Sequence, residues 1–301
     1  MKYFVTGVGG QLGFDVMQEL LKRNYDCVGS DVLPDCDNIS APYVQMDITD
    51  KENVGSVIGS IKPDVVVHCA AWTAVDLAEE PENISKVNAI NVDGTRNIAE
   101  VCKKLDCKMI YISTDYVFDG QGETPWSADC KDYSPLNIYG QSKLNGELAV
   151  SELLDKYFIV RIAWVFGING KNFIKTMLNL GKKYDTLRVV SDQIGTPTYT
   201  YDLARLLVDM GESEKYGYYH ATNEGGYISW YDFACEIFKQ AGMDVNVISV
   251  TTAEYGISKA ARPFNSRLDK SKLIKNGFEP LPSWRDALAR YLSEIGDNTN
   301  G

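Results

Sequence analysis

The sequence predicts an α/β protein, a doubly wound parallel sheet with a smaller C-terminal part that faces a substrate. Three observations predict it. Short apolar runs of strand length alternate with helical patterns through residue 162, a glycine-rich turn separates the first strand from the first helix, and an acid closes the second strand. Taken in order, residues 2–6 read as a strand and 7–13 as the turn. Leu12, Val16, Leu20 and Leu21 give 12–21 helical spacing, and 27–30 form a second strand ending at Asp31. A third strand at 44–46 ends at Asp47, a helix covers 51–61 before Pro63, and 65–69 is an apolar run typical of a strand buried on both faces. A long helix is expected over 84–105, a strand at 108–113, a helix over 137–154 after Pro135, and a strand at 157–162. Beyond Gly167 the pattern loosens: 173–180, 203–210 and 230–240 read as helices between turn-rich stretches such as 195–198. The division expected is a dinucleotide-binding domain over 1–168 and a second part over 169–301, interleaved with the first, with 297–301 a loose tail.

Composition narrows the function by exclusion. With 41 acidic and 30 basic residues the net charge is −11, which disfavours nucleic acid and anionic membranes as main partners. No apolar run approaches the ~18 residues of a membrane span, and the glycine motif begins directly after the first strand, so a cytoplasmic protein is expected. The 7 cysteines show no C-x-x-C pair, and with only 2 histidines, His68 and His220, no metal-ligand set is legible.

The turn can be read as G-x-G-x-x-G from Gly7 and Gly9, or completely as G-x-x-G-x-x-G at Gly7, Gly10 and Gly13. Either way, glycines let the chain turn tightly and bring backbone N–H groups and a helix N-terminus close to a pyrophosphate. Asp31 stands where a carboxylate accepts hydrogen bonds from an adenosine ribose, and it would repel a 2′-phosphate. NADH is therefore expected as the preferred cofactor, with NADPH the alternative. Read as structure alone, Asp31 is a strand-end turn residue. Tyr139 and Lys143, spaced i and i+4, share one helix face. A nearby ammonium stabilises a phenolate, so the pair suits acid catalysis, with the Tyr139 pKa expected to fall towards the working range. On its own, this spacing is more often a surface pair. Ser113 and Thr114 leave the carboxyl end of a strand, the edge where open sheets bind ligands.

Joined to the T-G-x-x-G-x-x-G run at 6–13, Asp47-Ile48, the HCAA segment at 68–71 and Asn91, these residues resemble the extended short-chain dehydrogenase/reductase family, whose domain is Rossmann-like. More narrowly, the segments CAAWTAVD (69–76), STDYVFDG (113–120), SPLNIYGQSK (134–143), RIAWVF (161–166), NF (172–173), SDQIGTP (191–197) and RPFNSRL (262–268) are similar to the dTDP-4-dehydrorhamnose reductases. The resemblance implies Thr114, Tyr139 and Lys143 as the catalytic set, Tyr139 protonating a sugar C4 carbonyl oxygen as hydride arrives. It implies a cofactor site of Gly7, Gly10, Gln11, Leu12, Gly13, Asp31, Asp47, Ile48, Ala70, Ala71, Thr73 and Asn91, shared with Tyr139 and Lys143. It also implies that Thr114, Asp115, Tyr116 and Trp164 meet the sugar of a sugar-nucleotide substrate, with Trp164 and the 193–198 loop facing the cofactor. A core aromatic is the alternative reading of Trp164. Leu77 departs from the lysine that relatives often carry. The sequence leaves a magnesium requirement open, and with it a homodimer.

Two other functions fit parts of the pattern. A sugar-nucleotide dehydratase would need an Asp-Glu pair where this chain has Asp115-Tyr116, while an epimerase stays open. A non-catalytic regulatory subunit, like that of methionine adenosyltransferase, would need the cofactor site but not the joint presence of Thr114, Tyr139 and Lys143.

Overall fold

The computed structural model describes residues 1–36, 40–256 and 258–297. Residues 298–301, most of the expected tail, lie outside the described residues. Strands β1 (Lys2–Thr6), β2 (Asp26–Asp31), β3 (Tyr43–Gln45), β4 (Val65–His68), β5 (Lys108–Thr114) and β6 (Tyr157–Ile162) alternate with helices. The helices are α1 (Gln11–Lys22), α2 (Lys51–Ile61), the short α3 (Val75–Ala78), α4 (Pro81–Asn88), α5 (Thr95–Leu105) and α6 (Ile138–Leu153). Next come β7 (Val165–Phe166), α7 (Phe173–Gly181), β8 (Thr186–Val190), β9 (Ile194–Gly195), β10 (Thr198–Tyr199), α8 (Thr200–Glu212) and β11 (Gly217–His220). The chain closes with β12 (Ile228–Ser229), α9 (Trp230–Gln240), β13 (Asn246–Val250), α10 (Thr252–Tyr255), α11 (Ser271–Lys275) and α12 (Trp284–Asp297).

The main sheet has seven strands in the order β11-β6-β5-β4-β1-β2-β3, every neighbouring pair parallel. The chain starts at β1, winds out to β3, and returns to β4 on the other side of β1. That reversal opens a crevice at the carboxyl ends of β1 and β4, the usual ligand position in such sheets. The strands read as unbroken apolar runs because both faces are covered. Tyr3, Val5, Val65, Val67, Ile110 and Phe158 pack towards α1 and α8, while their neighbours Phe4, Val66, Met109 and Ile159 pack towards α2, α5 and α6. Cys27, Cys102 and Cys107 are buried within these two cores. A third core, with Phe166, Phe233, Trp284 and Tyr291, joins α7, α9 and α12 beside the parallel β8–β13 pair.

Two departures from the sequence expectation carry physical content. The loosened C-terminal pattern hides β11, which pairs with β6 at the sheet edge, while the helix expected over 203–210 is the longer α8, which packs on α1. Buried Asp15 of α1 is tied to Thr200 at the start of α8, whose hydroxyl also reaches Phe166 O at 3.2 Å. The long helix expected over 84–105 is interrupted by a π-type turn, Ala89–Gly94. Inside that turn Asn91 accepts from Trp72 N at 2.8 Å and donates to Trp72 O at 3.1 Å and Ser142 Oγ at 2.8 Å. Gly94 meanwhile abuts Ile48, where a Cβ would come within 2.7 Å of Cγ1. The wide turn is thus where the helix is clasped to its neighbours. Among the described residues no helix is long and apolar enough to cross a membrane.

Candidate active site

One cleft of about 1050 Å³ runs across the carboxyl ends of the central strands, and every residue named above for the cofactor or substrate lines it except Asn91. Its cofactor half is built by the glycine turn. Gly7 has φ +72°, and a Cβ there would lie 2.5 Å from Ala70 N, so the turn rests on the backbone after β4. A Cβ on Gly13 would lie 2.2 Å from Gly7 O, so only glycine lets α1 start this close to β1. The helix begins at Gly10 with no side-chain cap, leaving its first N–H groups for an anion. Asp31 Oδ2 accepts from Gly9 N at 2.9 Å and Oδ1 from Val32 N at 2.8 Å, which fixes the carboxylate at the cleft edge. Asp47 is exposed and accepts from Thr49 N and Oγ1, while Ile48 is buried. Asn91 acts from beneath the floor, holding the Trp72 segment that carries Ala70, Ala71 and Thr73 against α6. These residues fit a dinucleotide: a turn cleared of side chains, an uncapped helix start and an acid at the second strand.

The other half gathers the hydroxyl and ammonium groups. Thr114 ends β5, and Tyr139 and Lys143 lie in the first turns of α6, which Asn137 caps by accepting from Gly140 N at 2.7 Å. A Cβ on Gly140 would sit 2.3 Å from Tyr116 O, so this glycine lets the helix close onto the post-β5 turn. Tyr139 and Thr114 line the cleft together, and Thr114 donates to Asp115 Oδ1 at 3.0 Å. Tyr116 stands edge-on to Tyr139, ring centroids 5.7 Å apart, where a dehydratase would need a carboxylate.

The electrostatics correct one expectation. Burial pushes the Tyr139 phenol well above its ordinary value, the Asp115 charge adds to this, and the Thr114 hydrogen bond opposes it only partly. Lys143 does not pull the phenol down. Its ammonium lies 4.1 Å over the Tyr111 ring, and burial lowers its own pKa to about 7 against the opposing pull of Glu147 and Cys69. Desolvation outweighs the pairwise charge here. Burial also raises Asp115 to about 6, with Ser266 and Thr114 hydrogen bonds opposing.

Trp164 adopts φ +50°, a left-handed conformation rare for a bulky residue. It stacks on Trp230 at 3.7 Å and 17°, and both indoles line the cleft. The 193–198 loop does not face the cofactor half as expected. It lies behind Trp164, where a Cβ on Gly195 would come within 2.9 Å of Cε2. Sequence reasoning missed Trp230 and the cleft-lining cations Lys86 and Lys171. None has a local spacing that marks it as a site residue.

Fold and cleft together define an extended short-chain dehydrogenase/reductase, an oxidoreductase of the NAD(P)-binding kind. Residues 1–296 match the family model described as "RmlD substrate binding domain", and the chain belongs to that family, the dTDP-4-dehydrorhamnose reductases. It is similar to the spore coat polysaccharide biosynthesis protein SpsK of Bacillus subtilis (39% identity; 97% of each chain covered). It is similar also to the dTDP-4-dehydrorhamnose reductase of Aggregatibacter actinomycetemcomitans (39%; 95% of this chain and 97% of the other). Among solved structures, the dTDP-4-dehydrorhamnose reductase of Bacillus anthracis in complex with NADP superimposes with a TM-score of 0.89 (41% identity; 97% and 99% covered).

Proposed function

We propose that this enzyme reduces the C4 keto group of dTDP-4-dehydro-L-rhamnose to give dTDP-L-rhamnose, with NADH as the preferred cofactor. The observation that carries the reading is the meeting of the Tyr139 and Thr114 hydroxyls in one cleft with the glycine turn. A bound nicotinamide supplies hydride to the sugar carbon. Tyr139, held protonated by burial, gives its proton to the carbonyl oxygen, and Thr114 orients that oxygen. Lys143, in the next turn of the same helix, holds the nicotinamide ribose as an ammonium. Trp164 walls the sugar end of the cleft, with Asp115 and Tyr116 beside it. Asp31 supports NADH, because a 2′-phosphate would meet its fixed carboxylate. The named relatives support the substrate.

The test uses purified chain with no second protein. Given the 4-keto sugar nucleotide, it should consume NADH with a higher kcat/KM than NADPH, and Asp31→Ala should narrow that difference. Better use of NADPH by the wild type would overturn the role of Asp31. Absence of turnover with every 4-keto sugar nucleotide offered, together with tight binding to another enzyme, would replace the reductase reading with the regulatory one.

A further inference from the structure

Helix α6 carries Tyr139, Lys143 and Glu147 at intervals of four residues, along one stripe. The upper part of the stripe opens to the cleft, while its lower end is sealed. Glu147 and Arg161 of β6 are both fully buried and form a two-pronged pair, Nε to Oε1 and Nη2 to Oε2, each 2.8 Å. The remaining guanidinium donors are also used, on Ala128 O at 3.2 Å, Tyr133 Oη at 3.0 Å and His220 Nε2 at 3.4 Å. All five N–H groups of the arginine thus have an acceptor. The Phe118 and Tyr218 rings flank it at 5.0 and 4.8 Å. A buried pair of this kind contributes little net stability, but removing one partner is costly, so it constrains geometry strongly. It pins the catalytic helix to the sheet one turn below Lys143.

The surroundings of Lys143 point the same way. His68, the last residue of β4, is held neutral by burial, its pKa lowered to about 3. Burial pushes Cys69 up to about 12 and Tyr111 well above its ordinary value, so neither is an anion near neutral pH. Tyr139 is likewise protonated. Glu147 is the carboxylate that opposes the burial of Lys143.

We propose that Glu147 is a positioning residue for Lys143: clamped by Arg161, it sets the height and rotation at which α6 presents Tyr139 and Lys143 to the cleft, and it supplies the negative charge that faces the ammonium. This rests on the reductase reading above. The experiment compares wild type, Glu147→Gln and Glu147→Asp in reduction rate, NADH affinity and melting temperature, each across pH. In the wild type, rate and affinity should fall as pH rises through the Lys143 titration. In Glu147→Gln that limb should move down by about one pH unit, with kcat reduced about tenfold or more. Glu147→Asp keeps the charge but retracts the fork, so its limb should return to the wild-type position while kcat stays low at unchanged KM.

A limb that stays in place in Glu147→Gln overturns the proposal, whatever the melting temperature does. Should that variant not fold, wild-type kcat in Glu147→Asp overturns it instead. A wild type inactive on every 4-keto sugar nucleotide refutes the reductase reading separately, and the pH dependence of NADH affinity then decides the role of Glu147.

Discussion

Tyr139 is half-buried, and loss of water around its hydroxyl keeps the phenol in its acid form, which suits a group that must donate a proton at the moment of reduction. Tyr139→Phe removes that proton and keeps the ring that packs against Tyr116. It should lower kcat by about 10²–10⁴-fold, with cofactor affinity from equilibrium titration nearly unchanged. A variant retaining half its rate would exclude Tyr139 as the acid. That Tyr139, Lys143 and Thr114 share one cleft could be expected from the sequence, because the spacing of the first two and the placement of Thr114 at a strand end are local facts. The direction of the Tyr139 pKa was not, because spacing shows which groups are near and not how much water they lose. Trp230 escaped for a different reason: it reaches the cleft from a distant segment that no periodicity links to it.

At the scale of elements, the central strands and the helices between them could be read from the sequence because burial on both faces writes unbroken apolar runs. The edge strand β11, GYYH at 217–220, is short and ends in polar groups, so nothing local separates it from a turn. The π-type turn was hidden because its cause is the grip of Asn91 on Trp72, 19 residues away in sequence. The glycines of two helices should respond in opposite ways. Gly13→Ala forces a Cβ against the Gly7 backbone and should destabilise by about 1–3 kcal/mol, with weakened NADH binding. Gly55→Ala and Gly59→Ala in α2 meet nothing within 4 Å and should each stabilise by about 0.5–1 kcal/mol. Thermal unfolding with a parallel cofactor titration checks both, and equal effects from the two sets would contradict the close approach at the glycine turn.

Across the whole molecule, the Asp15–Thr200 contact joins the cofactor helix to the C-terminal half, and burial raises the Asp15 pKa to about 7. A carboxyl whose folded pKa is raised contributes stability that is complete below its unfolded value, near 4, and is lost as pH rises through the folded value. Asp15→Asn keeps an acceptor for Thr200 and cannot ionise. It should therefore be more stable than wild type at pH 8, by about 1–4 kcal/mol, with the advantage vanishing as pH falls towards 4. Denaturant unfolding at several pH values measures this, and a difference independent of pH would show that Asp15 does not titrate with folding. The stacked pair Trp164 and Trp230 has an optical consequence. Two indoles 3.7 Å apart and 17° from parallel share their electronic excitation, so their far-ultraviolet circular dichroism is that of a coupled dimer. Because both rings face the cleft, the proposed function expects an arriving sugar to change their mutual tilt or surroundings, which would make the pair an unlabelled spectroscopic reporter of substrate arrival.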